Sequence, residues 1–415
     1  MNNYLQDINK YGNEKMFFMK GGKLLNKGAY GCVFQPGIKK SGKKMKDKKT
    51  VSKLSIYDRF ALNEMEISTI ITQYFKSNLL QNKLFGIMTG FNFVNVKKIE
   101  DEDIKKCTFV YENFNKRFIV LNMDFIDGIT LEKYILKYRN RSSKLVNKLL
   151  NSYLIILKGL STLSDLNIVH YDLKSNNIMF DNVSKIPKII DFGISINMTQ
   201  FMDKKNNFIV DTDLLRKRFY TFAPSYSIWS LEIHYLCYII HINIMPDKND
   251  LKTIINKFIS DPETPLYYIF SHTYSPGFIK KYKQLCLKQL EYYNTLTFEN
   301  KVKKILNSWN TWDNYSLSLM YLGFLNVFNS DGYDNNPITI FLSKILIQNL
   351  HPDPKKRYDI YDTIQKYNKI MLNNDKIVSN FENFKLKIAN NKYGINDLQK
   401  INKTLALTKK GMNSK

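Results

Sequence analysis

The residues whose types and spacing could do chemistry fall in two short stretches. In Ile168-Val169-His170-Tyr171-Asp172-Leu173-Lys174-Ser175-Asn176-Asn177-Ile178-Met179-Phe180, apolar pairs flank a polar loop that carries an acid, an ammonium and an amide at fixed offsets. Asp191-Phe192-Gly193 begins 14 residues after Asn177, behind the apolar run Ile186 to Ile190. Asp172 could accept or orient a hydroxyl proton, and Lys174 could neutralise a nearby anion. The side-chain oxygens of Asn177 and Asp191 are the donors a hard divalent cation prefers. A positioned hydroxyl, an in-line phosphate and neutralised charge are what phosphoryl transfer requires.

Several elements must position these groups. Leu145 to Leu163 has helical periodicity and leads straight into the loop. Near the start of the chain, Gly22 to Phe34 reads as two strands around a glycine turn, with Asn26, Gly28 and Gly31 at the turn. Glycine there lets backbone N–H groups approach an anion with no Cβ in the way, and asparagine tolerates left-handed dihedrals better than most residues. Lys39 to Lys49 is a lysine-dense connection, and Thr50-Val51-Ser52-Lys53-Leu54 is a strand about twenty residues past the turn. Arg59 to Phe75 has helical character; strands are expected at Phe91 to Val94, Thr108 to Glu112 and Phe118 to Leu121.

The loop resembles the H-R-D-L-K-x-x-N catalytic loop of eukaryotic-type protein kinases, with Tyr171 in the arginine place, and Asp191-Phe192-Gly193 resembles that family's metal-binding triplet. The resemblance implies an α+β, bilobal protein-kinase-like fold: a small β-rich N-lobe of about 21–123 and a large, mainly helical C-lobe of about 127–372, with ATP between them. It implies Asp172, Lys174 and Asn177 as catalytic residues, and Asn177 and Asp191 as ligands of Mg²⁺, or of Mn²⁺ in its place. Leu25, Asn26, Gly28, Gly31 and Val33 would cover the nucleotide. Val51, Met179 and backbone groups near Asp124 and Ile126 would surround its base, with Met123 on the back wall. Lys53 would hold the α- and β-phosphates and pair with a helix glutamate.

Glu64 and Glu66 are the two candidates for that glutamate. Glu64 is followed at +3, +4 and +7 by Ile67, Ser68 and Ile71, the more apolar set, and is the choice; either leaves a short connection from Lys53. The resemblance further implies that Asp313 bonds the catalytic-loop backbone. Tyr226 to Glu232 is taken as a degenerate A-P-E, with Glu232 paired to Arg357; Ala223-Pro224-Ser225 is the competing choice but lacks the glutamate. Thr212, Tyr220 and Thr221 are candidate phosphosites. Without an arginine at Tyr171, activity should depend little on activation-segment phosphorylation.

About 243–308 is left over as an insertion, with helices expected at Asp247 to Phe258, Ile279 to Tyr292 and Phe298 to Leu306. Residues 1–20 read as a lead-in and 373–415 as a basic tail. D-L-K-x-x-N points to the serine/threonine branch, and the Lys/Asn/Ile-rich composition looks like the kinases of large DNA viruses. The expected partners are therefore ATP and a protein substrate. The alternatives are a pseudokinase scaffold and a small-molecule or lipid kinase. Oligomeric state is not legible.

Composition bounds these readings. The 415 residues are 44% hydrophobic and 14% aromatic, which argues for a folded chain. The net charge of +25 favours anionic partners, but the lysines are spread along the chain and nothing requires nucleic acid. No stretch reads as a transmembrane segment. Cys32, Cys107, Cys237 and Cys286 show no metal or CxxC spacing. They read as reduced thiols of an intracellular protein, cytoplasmic or nuclear, or of a virion or host cytoplasm if viral.

Overall fold

The computed structural model describes residues 23–372 except 29–30, 79–81, 99–105, 139–141, 220–221, 243, 263 and 331–336. The lead-in, the basic tail, and Tyr220 and Thr221 lie outside the described residues. The described residues divide into two compact units: the smaller takes 23–130 together with Asn177–Ser195, and the larger takes Leu131–Asn176 and 196–372.

The smaller unit is built on strands β1 (Lys23–Gly28), β2 (Gly31–Gln35) and β3 (Thr50–Ile56). Helix α1 (Arg59–Ser77), strands β4 (Phe85–Gly86) and β5 (Met88–Val94), helix α2 (Thr108–Glu112), and strands β6 (Phe118–Asp124) and β7 (Gly128–Thr130) follow. Five strands form one sheet in the order β1-β2-β3-β6-β5, antiparallel throughout. Side chains alternate across a pleated strand. Cys32, Phe34, Leu54 and Val120 therefore share one face, packed with Val110 of α2. Ile119 and Leu121 take the other face and pack with Ala61 of α1. Lys53 lies opposite Val33 on β2 and Leu121 on β6, on that second face.

Two expectations are corrected here. Thr108 to Glu112 is helix, not strand. A five-residue stretch with only three apolar residues cannot be assigned by periodicity alone, and packing of Val110 against the sheet, with Phe109 edge-on to Phe118 at 6.4 Å, decides it. Cys32 and Cys107 are not reduced: they form a disulfide, both sulfurs buried in the same apolar cluster. Their 75-residue separation hides a pairing that only the tertiary fold creates. The intracellular reading loses the support it drew from four free thiols; Cys237 and Cys286 are free and buried.

After β7 the chain enters the larger unit through α3 (Leu131–Leu136), α4 (Ser142–Asp165) and β8 (Ile168–Val169). It returns to the smaller unit for β9 (Ile178–Asp181) and β10 (Pro187–Ile190), which with β4 and β7 make a sheet ordered β4-β10-β9-β7. β11 (Ile196–Asn197), back in the larger unit, pairs with β8. Helices α5 (Thr212–Arg218) and α6 (Leu231–His241) come next. The stretch of about 243–308 then holds α7 (Lys248–Ser260), α8 (Pro265–Thr273), α9 (Pro276–Asn294) and α10 (Phe298–Leu306). Of these α8 was not anticipated: its signals are the Thr264 N-cap, which accepts from the Tyr267 N–H, and Pro265 in the first turn. Helices α11 (Trp312–Ser330), α12 (Pro337–Asn349) and α13 (Ile360–Leu372) complete the unit. Among the described residues no helix is long and apolar enough to cross a membrane.

Candidate active site

In the smaller unit Lys53 Nζ lies 2.7 Å from Glu64 Oε2 and 2.7 Å from Asp191 Oδ1. Each partner is delivered by a different element. β3 presents Lys53 on the face that α1 covers, and Glu64 is on the buried side of α1 with Ile67, Ser68 and Ile71. Glu66 is not in that contact. Burial acts to lower the Lys53 pKa, but the Glu64 and Asp191 carboxylates override it and hold the ammonium above its ordinary value. A lysine fixed this way stays charged at any working pH.

Asp191 follows β10 directly and has φ 67, in the left-handed region that costs a non-glycine residue of order 1 kcal/mol. The backbone just after it is tied down by Asn63, which sequence reasoning missed. Its amide donates to the carbonyls of Phe192 (3.2 Å), Gly193 (3.2 Å) and Ser195 (2.7 Å). The available signal was a polar residue beside Glu64 on a helix flank that must be buried. Phe192 is itself buried and packs edge-on against Phe85 at 6.1 Å.

The glycine turn is a β1–β2 hairpin whose last pair is Gly28 with Gly31; the two residues between them, 29–30, lie outside the described residues. Gly31 has φ +152, and a Cβ there would come within 2.3 Å of the Leu54 carbonyl on β3. Glycine is therefore required at Gly31 by the neighbouring strand. Leu25 sits at a bulge in β1 and is exposed, and Asn26 pairs with Val33. Val51 is buried, Met179 on β9 is half-buried, Asp124 ends β6 exposed, and Ile126 is half-buried beside Gly86. Asn177 is buried at the end of a single 3-10 turn, Ser175–Asn177.

In the larger unit the loop after β8 is pinned by Asp313 at the start of α11. The Asp313 carboxylate accepts from the His170 N–H (2.6 Å) and the Tyr171 N–H (3.0 Å). Burial pushes its pKa up, against the pull of His170 and of these two bonds. Tyr171, φ 67, is buried and stacks on Trp229 at 4.5 Å and 21°. Trp229 Nε1 donates back to the Tyr171 carbonyl at 2.6 Å. Aromatic packing thus fills the place where an arginine was missed. Asp172 accepts from Lys174 Nζ at 3.0 Å on both carboxylate oxygens, and Tyr226 donates to Oδ1. Glu232 and Arg357 form a two-pronged ion pair at 2.6 and 2.8 Å, both side chains fully buried.

A small unit that fixes a lysine between two carboxylates, and a helical unit that pins an acid-lysine loop to a buried aspartate, are each what the resemblance to the protein kinase family implies. A family model described as the protein kinase domain matches residues 20–366, and the chain belongs to that family. Over 89 residues it is 33% identical to the probable serine/threonine-protein kinase fnkB of Dictyostelium discoideum, which covers 21% of this chain and 16% of that protein. Over 114 residues it is 30% identical to mitogen-activated protein kinase kinase 9 of Arabidopsis thaliana, covering 28% and 34%. Over 88 residues it is 39% identical to the serine/threonine-protein kinase Nek8 of Danio rerio, covering 20% and 12%. The chain spans no more than about a third of the length of these relatives.

Proposed function

We propose that this chain transfers the γ-phosphate of ATP to serine and threonine hydroxyls of protein substrates. The observation that carries the reading is the Lys53 ammonium held at 2.7 Å between Glu64 and Asp191. A scaffold has no physical need for an ion triplet whose third member, Asp191, keeps its side chain 38% exposed and in a costly backbone conformation. Lys53 would bind the α- and β-phosphates, with Glu64 orienting it. Leu25, Asn26, Gly28, Gly31, Val33, Val51, Met179 and the backbone near Asp124 and Ile126 would enclose the nucleotide.

Asp172 would accept the hydroxyl proton, and Lys174 would steady the transferred group. Asn177 and Asp191 offer an amide and a carboxylate oxygen. That donor set suits Mg²⁺ or Mn²⁺, which keeps waters and takes the remaining ligands from phosphate oxygens. Among the described residues no cluster of three or more His, Cys, Asp or Glu could hold a metal alone. Bound there, the ion would neutralise charge on the phosphates.

The test is radiolabel transfer from Mg²⁺-ATP to a generic basic protein and to the chain itself, with Asp172→Asn alongside. Transfer in the wild type and a loss of 10²-fold or more in Asp172→Asn is expected. ATP binding with no transfer in the wild type would support a pseudokinase scaffold instead.

A further inference from the structure

Asp172 is already engaged. A carboxylate oxygen has two acceptor positions, and Oδ1 spends them on the Tyr226 hydroxyl and on Lys174 Nζ at 3.0 Å. Oδ2 takes Lys174 at 3.0 Å as well. The same ammonium lies 3.3 Å from the Tyr226 oxygen, so phenol, carboxylate and ammonium form a closed triangle. A hydroxyl that hydrogen-bonds the acid while a cation sits beside its oxygen is in the relation an acceptor hydroxyl must adopt at a general base.

We propose that Tyr226 occupies the acceptor-hydroxyl position of this chain, so that a substrate hydroxyl displaces the protein's own phenol to take its place on Asp172 Oδ1. The inference rests on the proposed role of Asp172 as base. The geometry favours a residue that can leave over one built in permanently. The backbone around Tyr226 is fixed: Tyr226 N–H donates to the Ala223 carbonyl at 2.9 Å, and its own carbonyl accepts from Trp229 N–H at 3.1 Å. Trp229 is buried and tied to Tyr171. The Tyr226 ring is only half-buried and meets Trp229 edge-on at 4.9 Å. Rotation about its side-chain torsions would free Asp172 without moving the segment. Lys174, its side chain 39% exposed, would then pass from the phenol oxygen to the incoming one.

The test compares Tyr226→Phe with wild type, using one serine peptide that the wild type phosphorylates. Removing a competing hydrogen bond to a charged group should lower the peptide KM about tenfold, with no fall in kcat and no change in the KM for ATP. Tyr226→Leu should do the same, and peptide binding measured without turnover, with a non-hydrolysable ATP analogue, should tighten by a similar factor in both. A fall in kcat at constant peptide KM would overturn the proposal, since Tyr226 would then be a positioning residue for the base. Unchanged peptide KM and affinity in both variants would overturn it too. Asp172→Asn separates the two readings: if it still transfers phosphate the base assignment fails, whereas if it is dead and Tyr226→Phe is silent only the present inference fails.

Discussion

Replacing Arg357 by methionine should be among the most damaging single changes in the larger unit. The guanidinium contacts Glu232 through Nη1 at 2.6 Å and Nη2 at 2.8 Å, and its Nε donates to the His351 carbonyl at 2.6 Å. Side-chain exposure is 1% for Arg357 and 0% for Glu232, so no solvent can take over when one partner goes. Arg357→Met strands a buried carboxylate, and the expected loss is about 3–5 kcal/mol. Glu232→Leu strands the cation and should cost a similar amount. The double variant removes both charges and should be more stable than either single one, with a coupling of about 2–3 kcal/mol in a double-mutant cycle. Urea unfolding followed by tryptophan fluorescence reads all four proteins, because Trp229 and Trp312 are buried in this unit. A loss below about 1 kcal/mol in Arg357→Met, or a double variant whose loss equals the sum of the singles, would falsify the claim that the pair is desolvated and mutually dependent.

Three further outcomes are expected. Reducing the Cys32–Cys107 bond should cost the smaller unit about 2–4 kcal/mol, and equal denaturation midpoints with and without reductant would remove the bond from the account. Burial holds His234 neutral, its pKa pushed down to about 3 despite nearby backbone acceptors. Below about pH 6.5 the unfolded chain takes up a proton that the folded chain refuses, so stability should fall by about 1.5–2 kcal/mol from pH 6.5 to 5. His234→Phe should flatten that slope, and an unchanged slope would show that other groups set it. Phosphatase treatment should leave most of the activity intact, because Tyr171 stacks on Trp229 and offers no cation to a phosphate; loss of most activity would refute this.

What was legible in the sequence was the family pattern carried by short, fixed spacing. The loop at 168–180 and the triplet at 191–193 need no tertiary knowledge to be read. Glu64 was favoured over Glu66 because Ile67, Ser68 and Ile71 make one buried helix flank, and Lys53 does contact Glu64. What escaped is what long-range packing decides. Cys32 meets Cys107 only because strand β2 and the start of α2 pack into one cluster. Thr108 to Glu112 has strand-like residues but is too short for propensity to prevail over its packing. Asn63 and Tyr226 gained their roles from carbonyls and a carboxylate distant in sequence, which no local pattern announces.

The ordering of partners along the chain has a consequence for synthesis. Lys53 meets Asp191 across 138 residues, and the sheet β4-β10-β9-β7 joins strands from before Leu131 to strands after Asn177. Glu232 then waits 125 residues for Arg357. At about 5–20 residues per second on the ribosome, that wait is roughly 6–25 s. Throughout it the nascent helices carry a carboxylate with no counter-charge, and the final packing around Glu232 cannot close. A translation product stopped short of Arg357 would keep the smaller unit's core but leave the larger unit with a stranded carboxylate, a client for chaperones or proteases.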